Sequence, residues 1–423
     1  MKAYLPGLLG LTLASLAIQA LTAPELLLVN GRIHPEASRG LAHEAMAVEN
    51  GRVTALGDTQ QLRRMAGDAT RVLDLRGRTV LPGFNDQHVH PLGAGLASAA
   101  CTIEQGASLE VLLERLSACI KEASPGSWVR GSQWDAPALG VTPRAELLDE
   151  VSPDHPVLLT DTSGHSVWAN SLAMRLAGVN RESESPAGGV IERDPDGMPS
   201  GVFRESAISL VSGAAPGITR QGLLAKFPWA LEQMARHGVT SYTEAAIGYA
   251  AGVEMEMDAL QAFALEKGIP LRARICLTWS PGTGVKEPNI DALIARRHTW
   301  SAPNLTLDCI KVFLDGVPTD SHTAAMIEPY VDKVAGRDPH AGDRGMALVP
   351  QDELNQAVAR FDRMGLTVKF HAAGDGAVRS ALDAIAFARK ENGFYGPLHD
   401  VGHCTFAKPG DLKRARAIGA TLE

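Results

Sequence analysis

From residue 238 to the end of the chain, short apolar and β-branched runs recur with turn residues at their ends. They are GVTSYTEAA (238–246), LRARICLTW (271–279), TLDCIKVFLDG (306–316), LTVKFHAAGD (366–375), HDVGHCTF (399–406) and GATLE (419–423). Amphipathic stretches such as GLLAKFPWALEQMARHG (222–238) and DELNQAVARFDRMG (352–365) separate several of them. Strands that are apolar on both faces and alternate with helices imply βα units around a parallel sheet. With TVLPGFNDQHVH (79–90) as the first, the count reaches about seven strands of an α/β chain with a (β/α)8 TIM-type barrel, one strand short of closure. Residues 81–423 are expected to form this barrel, with 101 to about 225 as a long insertion of mixed content after the first strand. Upstream, LLLVNGRIH (26–34), AMAVENGRVTALG (45–57) and RVLDLRGRTVLPGF (71–84) read as short β-strands. Asn-Gly occurs there twice, at Asn30-Gly31 and Asn50-Gly51, and between two such runs it is a strong hairpin signal. Residues 24–80 are therefore expected to be the N-terminal part of a small β-sandwich module.

The opening MKAYLPGLLGLTLASLAIQALTAPE has one early lysine, an apolar run, and small residues at Ala20 and Ala23. That is the order of a secretory signal peptide, so residues 1–23 are expected to be removed and the protein exported to a periplasmic or extracellular space. The apolar run is short for a stable membrane span. The 45% hydrophobic and 21% charged composition of the whole chain suits a soluble protein with a large core, and a net charge of −8 offers no basic stripe for nucleic acid. The basic stretch KPGDLKRARA (408–417) has helical spacing and reads as a solvated face. The five cysteines, Cys101, Cys119, Cys276, Cys309 and Cys404, are scattered and contain no CxxC pair. They allow one bridge, with most expected to pack as small buried apolar groups.

Candidate chemistry lies at the strand ends. Residues i and i+2 of a strand share a face, so His88 and His90 project together at the C-terminal end of the first barrel strand, where such barrels keep their active sites. Two imidazoles held side by side suit a divalent ion such as zinc, although a His-Val-His pair can equally sit on any sheet surface. Asp86 shares that face and is expected to orient one of the rings. Lys311 interrupts a strand of Leu, Ile, Val and Phe; His371 and His403 end two later strands. A buried lysine is costly without a partner or a chemical purpose. A salt-bridged Lys311 and core-satisfied histidines are the plain alternatives, and three such residues on successive strand ends after an HxH weigh against them.

These residues and their surroundings, VLPGFNDQHVH, TDTSGHSVWANSLA (160–173), GGVIERDPDGMPSGVFRE (188–205), IKVFLDG, HAAGDGAV (371–378) and VGHC (401–404), resemble the amidohydrolase superfamily, within it the YtcJ-like branch that includes N-substituted formamide deformylases. The resemblance runs from about residue 26 to the end. It implies that His88 and His90 bind one divalent metal, with zinc expected, and that His371 and His403 bind a second. Lys311 would bridge them as its carbamate. A metal-bound hydroxide would then attack the carbonyl of a small amide-type substrate and break a non-peptide C–N bond, with Lys311, His371 and His403 as catalytic residues. His165 and Trp168, from the insertion, are candidate substrate contacts; a loop hydrogen bond is an equal alternative for His165. A homodimer is compatible with the resemblance.

One departure stands out. The family's strand-eight aspartate, its general base, has no counterpart here, nor does the C-terminal return to the small β-module. The chain is therefore expected to be a fragment, inactive as it stands. The alternative function is a non-catalytic binding protein that keeps the fold, which would have no need of five metal-type groups together.

Overall fold

The computed structural model describes residues 23–36, 40, 42–248, 250–279, 281, 289–319, 322–331 and 342–423; nearly all of the expected signal peptide lies outside them. The chain divides into two compact units, Met1–Gly83 and Phe84–Glu423.

In the first unit, a four-stranded sheet runs in the order Arg52–Gly57, Ala45–Glu49, Leu26–Val29, Arg71–Asp74. One face buries Leu27, Val29, Ala45 and Ala47 under Leu62 of the short helix Thr59–Arg63, which Asp58 caps through the Gln61 N–H. Asn50 and Gly51 both have positive φ, 53° and 68°, as a two-residue hairpin turn between paired strands requires. The other Asn-Gly does something different. Strand Leu26–Val29 pairs with Ala45–Glu49 and Arg71–Asp74, whereas Arg32–Ile33 pairs with Thr79–Val80 in a separate ladder. Asn30, at φ 55°, swings the chain from one sheet into the other, and the bare Gly31 leaves room for the Leu75 side chain. The hairpin expected at Asn30-Gly31 is thus not formed.

The second unit is built on a seven-stranded parallel sheet. Its strands, in chain order, are β1 (Phe84–Val89), β2 (Val239–Ile247), β3 (Arg272–Trp279), β4 (Leu305–Phe313), β5 (Thr367–Ala372), β6 (His399–His403) and β7 (Ala420–Leu422), and their spatial order is the same. Helices Phe227–Arg236, Val253–Glu266, Ile290–Arg296, Gln351–Arg363, Asp375–Asn392 and Pro409–Ile418 intervene, so the expected βα alternation is realised. The incomplete TIM-type barrel is observed, with β1 and β7 at the two edges among the described residues. Ile275, Ile310, Val312, Val368, Phe370 and Val401 of the strands pack in one core with Leu354, Val358, Phe361, Val378, Leu382 and Ile385 of the helices. The insertion carries its own six-stranded sheet, Gly189–Arg193, Pro199–Glu205, Ser166–Ala169, Val157–Asp161, Val129–Trp134 and Cys101–Thr102, with helix Leu109–Glu122 packed over Val129, Leu159 and Trp168. No helix among the described residues is long and apolar enough to cross a membrane.

The cysteines correct the sequence expectation. Cys101 bonds to Cys119 and Cys276 to Cys309, leaving Cys404 as the free thiol. Cys276 and Cys309 are register partners on β3 and β4, with Cα atoms 4.2 Å apart, although 33 residues separate them in sequence. Strand pairing, which sequence spacing does not report, makes the bridge.

Two helices and a strand are tied together by one buried carboxylate. Asp362 accepts hydrogen bonds from Arg389 Nη1 (2.8 Å), Asn392 Nδ2 (2.8 Å) and His399 Nε2 (3.0 Å). The Val368 N–H donates to His399 Nδ1, so the ring is neutral with its proton on Nε2. Asp362→Ala strands the Arg389 guanidinium in the core and is expected to cost about 3–5 kcal/mol, read as a shift in the denaturant midpoint; a shift of only a few tenths would show that the network is slack. Burial, with the Arg389 charge, pushes His399 down to about 4, below its ordinary value of about 6.5. The unfolded chain therefore takes up this proton first. Stability should fall as pH drops from about 6.5 to about 4, by on the order of 3 kcal/mol, and this component should vanish from the stability–pH profile of His399→Gln.

Candidate functional site

The C-terminal ends of β1, β4, β5 and β6 bring their expected residues together. His88 and His90 share a face of β1 and its continuation, with ring centroids 5.6 Å apart. His403 lies 4.7 Å from His88 and 4.4 Å from His371, centroid to centroid. Lys311, 1% exposed, places Nζ 3.3 Å from His88 Nε2. His90 is the outlying member, with its ring about half exposed. His403 and Cys404 both have positive φ, 71° and 43°, which non-glycine residues adopt only where the surroundings impose it. The Cys404 N–H donating to Ala372 O and the Phe406 N–H donating to Ala373 O hold that turn. Gly402 is needed for the same approach, since a Cβ there would sit 2.9 Å from Phe370 O and 3.2 Å from the His88 ring.

Carboxylates that sequence reasoning missed set the ring orientations. His88 Nδ1 is 3.1 Å from Glu423 Oε2, and His90 Nδ1 is 2.9 Å from Glu244 Oε1. Asp86, expected in this role, instead accepts the backbone N–H of His88 at 3.1 Å, because its short side chain turns back on its own strand. His371 Nε2 donates to Gly316 O at 2.9 Å, leaving the ring's lone pair on Nδ1. Lys369 was also missed, although VKF around it carries the same signal as IKV around Lys311. It is the register partner of Lys311, equally buried, and pairs with Asp400 (3.6 Å) and closely with Glu423.

Burial and neighbouring charge leave these groups ready to donate lone pairs. Burial, reinforced by the Lys369 charge, lowers Lys311 to about 7. Burial and the Lys311 and His88 charges lower His403 to about 3, and His371 is held well below the usual range by burial and the His165 and Lys311 charges. Asp315 moves the other way, up to about 7, because burial outweighs hydrogen bonds from the Gly374, Ala373 and Ala325 N–H groups.

The insertion reaches this cluster through His165, whose ring lies 5.0 Å from that of His371. Its Nδ1 is 2.8 Å from Glu205 Oε2, and Glu205 Oε1 accepts from the Thr323 hydroxyl at 2.7 Å. Gly316 makes room for both partners, since a Cβ there would collide with the Glu205 carboxylate and the Thr323 hydroxyl. Burial pulls His165 down, yet the Glu205 hydrogen bond and charge overcome it and its pKa is raised. Trp168 is not part of the cluster. It is fully buried in the insertion's own core against Trp134, ring centroids 5.7 Å apart, because residues three apart on a strand face opposite ways.

A cavity of about 550 Å³, lined by Gln87, Arg274, Asp308, Thr367 and Asp400 among others, opens near the N-terminal ends of the strands, and no imidazole lines it. Among the described residues, no three His, Cys, Asp or Glu side chains are closed round one point as they stand. The chemistry nonetheless fits a divalent ion. Two imidazoles on one zinc, with Zn–N about 2.1 Å, have ring centres roughly 5 Å apart, a spacing bracketed by the 5.6 Å of His88–His90 and the 4.4 Å of His371–His403.

The amidohydrolase family model matches residues 71–423. Protein LONG AFTER FAR-RED 3 of Arabidopsis thaliana is 30% identical over 97% of this chain and 70% of its own length. N-substituted formamide deformylase of Arthrobacter pascens is 26% identical over 94% of this chain and 72% of its own. A solved structure described as an uncharacterized metal-dependent hydrolase from Pyrococcus furiosus matches with a TM-score of 0.67 and 24% identity, covering 94% of this chain and 76% of that one, a likeness that establishes the fold.

Glu205→Gln removes the charge that holds the His165 proton, so the His165 pKa should drop in an NMR titration of the ring. An unchanged titration would show that Glu205 does not govern this histidine.

Proposed function

This chain belongs to the amidohydrolase family, and on that premise we propose that it is a metal-dependent hydrolase of a small amide-type substrate, breaking a non-peptide C–N bond. The observation that carries the reading is the convergence of His88, Lys311, His371 and His403 from four strand ends, with His90 beside them. The formamide deformylase relative supports the substrate class. His88 and His90 would hold one ion, zinc being the expected one, and His371 and His403 a second; Lys311, as its carbamate, would bridge them. Such ions supply Lewis-acid polarisation of a carbonyl and a lowered water pKa.

The chain's own residues do the rest. An amine brought to about 7 has a large neutral fraction near neutrality, and only a neutral amine can form a carbamate. The depressed proton affinities of His371 and His403 keep their rings neutral, with lone pairs available. Asp315, at about 7 and with Oδ1 3.7 Å from His371 Nε2, can hold or release a proton at working pH. His165, held by Glu205, would contact the substrate from the insertion's side. The two disulfides support export to an oxidising compartment, as the N-terminal sequence suggests.

His88→Ala should strip bound metal, measured by emission spectroscopy on folded protein; in any form of the protein that turns over N-acyl substrates, Lys311→Arg should abolish that turnover because a guanidinium cannot be carbamylated. Lys311→Ala should regain part of its activity with added short carboxylates. Unchanged metal stoichiometry in His88→Ala, or full activity in Lys311→Arg, would overturn the respective assignment.

A further inference from the structure

We infer that Glu244 is a positioning residue that fixes the tautomer of His90, so that Nε2 is the atom the ring offers to an ion; the use of that atom rests on the metal-centre reading above. Glu244 lies on β2, in register with Val89 of β1, one residue before His90. Its side chain is 4% exposed, and its Oε1 lies 2.9 Å from His90 Nδ1. A carboxylate taken out of water needs a donor in compensation, and His90 Nδ1 is within reach as one. An ionised carboxylate only accepts, so the proton of the neutral imidazole is held on Nδ1 and the lone pair is left on Nε2.

Left in water, a histidine side chain favours the opposite tautomer, with the proton on Nε2 and the lone pair on Nδ1. Glu244 therefore reverses the intrinsic preference. His88 shows the same arrangement from a different element: its Nδ1 faces the Glu423 carboxylate, and its Nε2 faces the cluster, 3.3 Å from Lys311 Nζ. In both histidines of the HxH pair the nitrogen opposite the carboxylate is the one left for the centre. The His90 ring is about half exposed, and its Nδ1 contact with Glu244 is a hydrogen bond that orients it. Carboxylate partners of this kind are worth about 10–100-fold in metal affinity in other sites.

The test uses the whole protein, ¹⁵N-labelled and metal-free, at mildly alkaline pH where an imidazole is neutral, with zinc affinity measured separately by chelator competition. In the parent protein His90 should show the Nδ1–H tautomer. Glu244→Ala should move it toward Nε2–H and weaken zinc binding about 10–100-fold. Glu244→Gln, whose amide oxygen can still accept from Nδ1, should keep the tautomer and most of the affinity, which guards against a simple folding defect. Retention of the Nδ1–H tautomer in Glu244→Ala would overturn the inference, as would unchanged zinc affinity there while His90→Ala loses it. If His90→Ala binds zinc as the parent does, the metal reading of His90 fails, and the tautomer measurement still decides the role of Glu244.

Discussion

His88 and Lys311 touch, 3.3 Å apart, from strands three places apart in the sheet. Neighbouring strands lie about 4.8 Å apart, so in a flat sheet these positions would be separated by roughly 14 Å. The contact therefore demands strong curvature, as does the 4.7 Å approach of His88 to His403, five strands away. Curvature and the buried lysine belong together. Lys311 and its register partner Lys369 put two amines side by side in a sheet otherwise filled with Ile, Val and Phe. The curled sheet lets His88, three strands away, close on Lys311, while Lys369 pairs with Asp400, its register partner on the next strand, and with Glu423 just beyond β7.

Close approach on this scale leaves no space for side chains at two points. At Gly402 a Cβ would press on the His88 ring and a β5 carbonyl, and at Gly316 it would displace the Glu205–Thr323 pair. The first glycine admits a ring from the opposite edge of the sheet. The second admits the insertion, whose His165 and Glu205 thereby reach a site built otherwise from barrel strands. Strain collects beside them, in the consecutive left-handed residues His403 and Cys404. The Asp362 network cross-links two helices to β6, the strand that carries that turn.

Legibility in the sequence followed the range of the interaction. The βα alternation, the HxH pair, Lys311, His371 and His403 were readable because each depends on local pattern: a periodicity, a spacing of two, or a polar residue breaking an apolar run. Lys369 carried that same signal and was overlooked. The carboxylates Glu244 and Glu205 act on histidines 154 and 40 residues away, and nothing in their neighbourhood marks them. Trp168 was misplaced because a stretch of sequence brings His165 and Trp168 together, while the strand's pleat sends them to opposite faces.

By itself, the sequence determined which segments become strands and helices, and that imidazole and amine groups end successive strands, since backbone periodicity is a local property. Tertiary structure decided which of those groups meet. The pairing of four cysteines, the turn of Asn30-Gly31 from one sheet into another, and the carboxylate assigned to each ring all depend on strand order and curvature. Those are set by how the whole core packs, a balance of many distant contacts that no short stretch of residues contains.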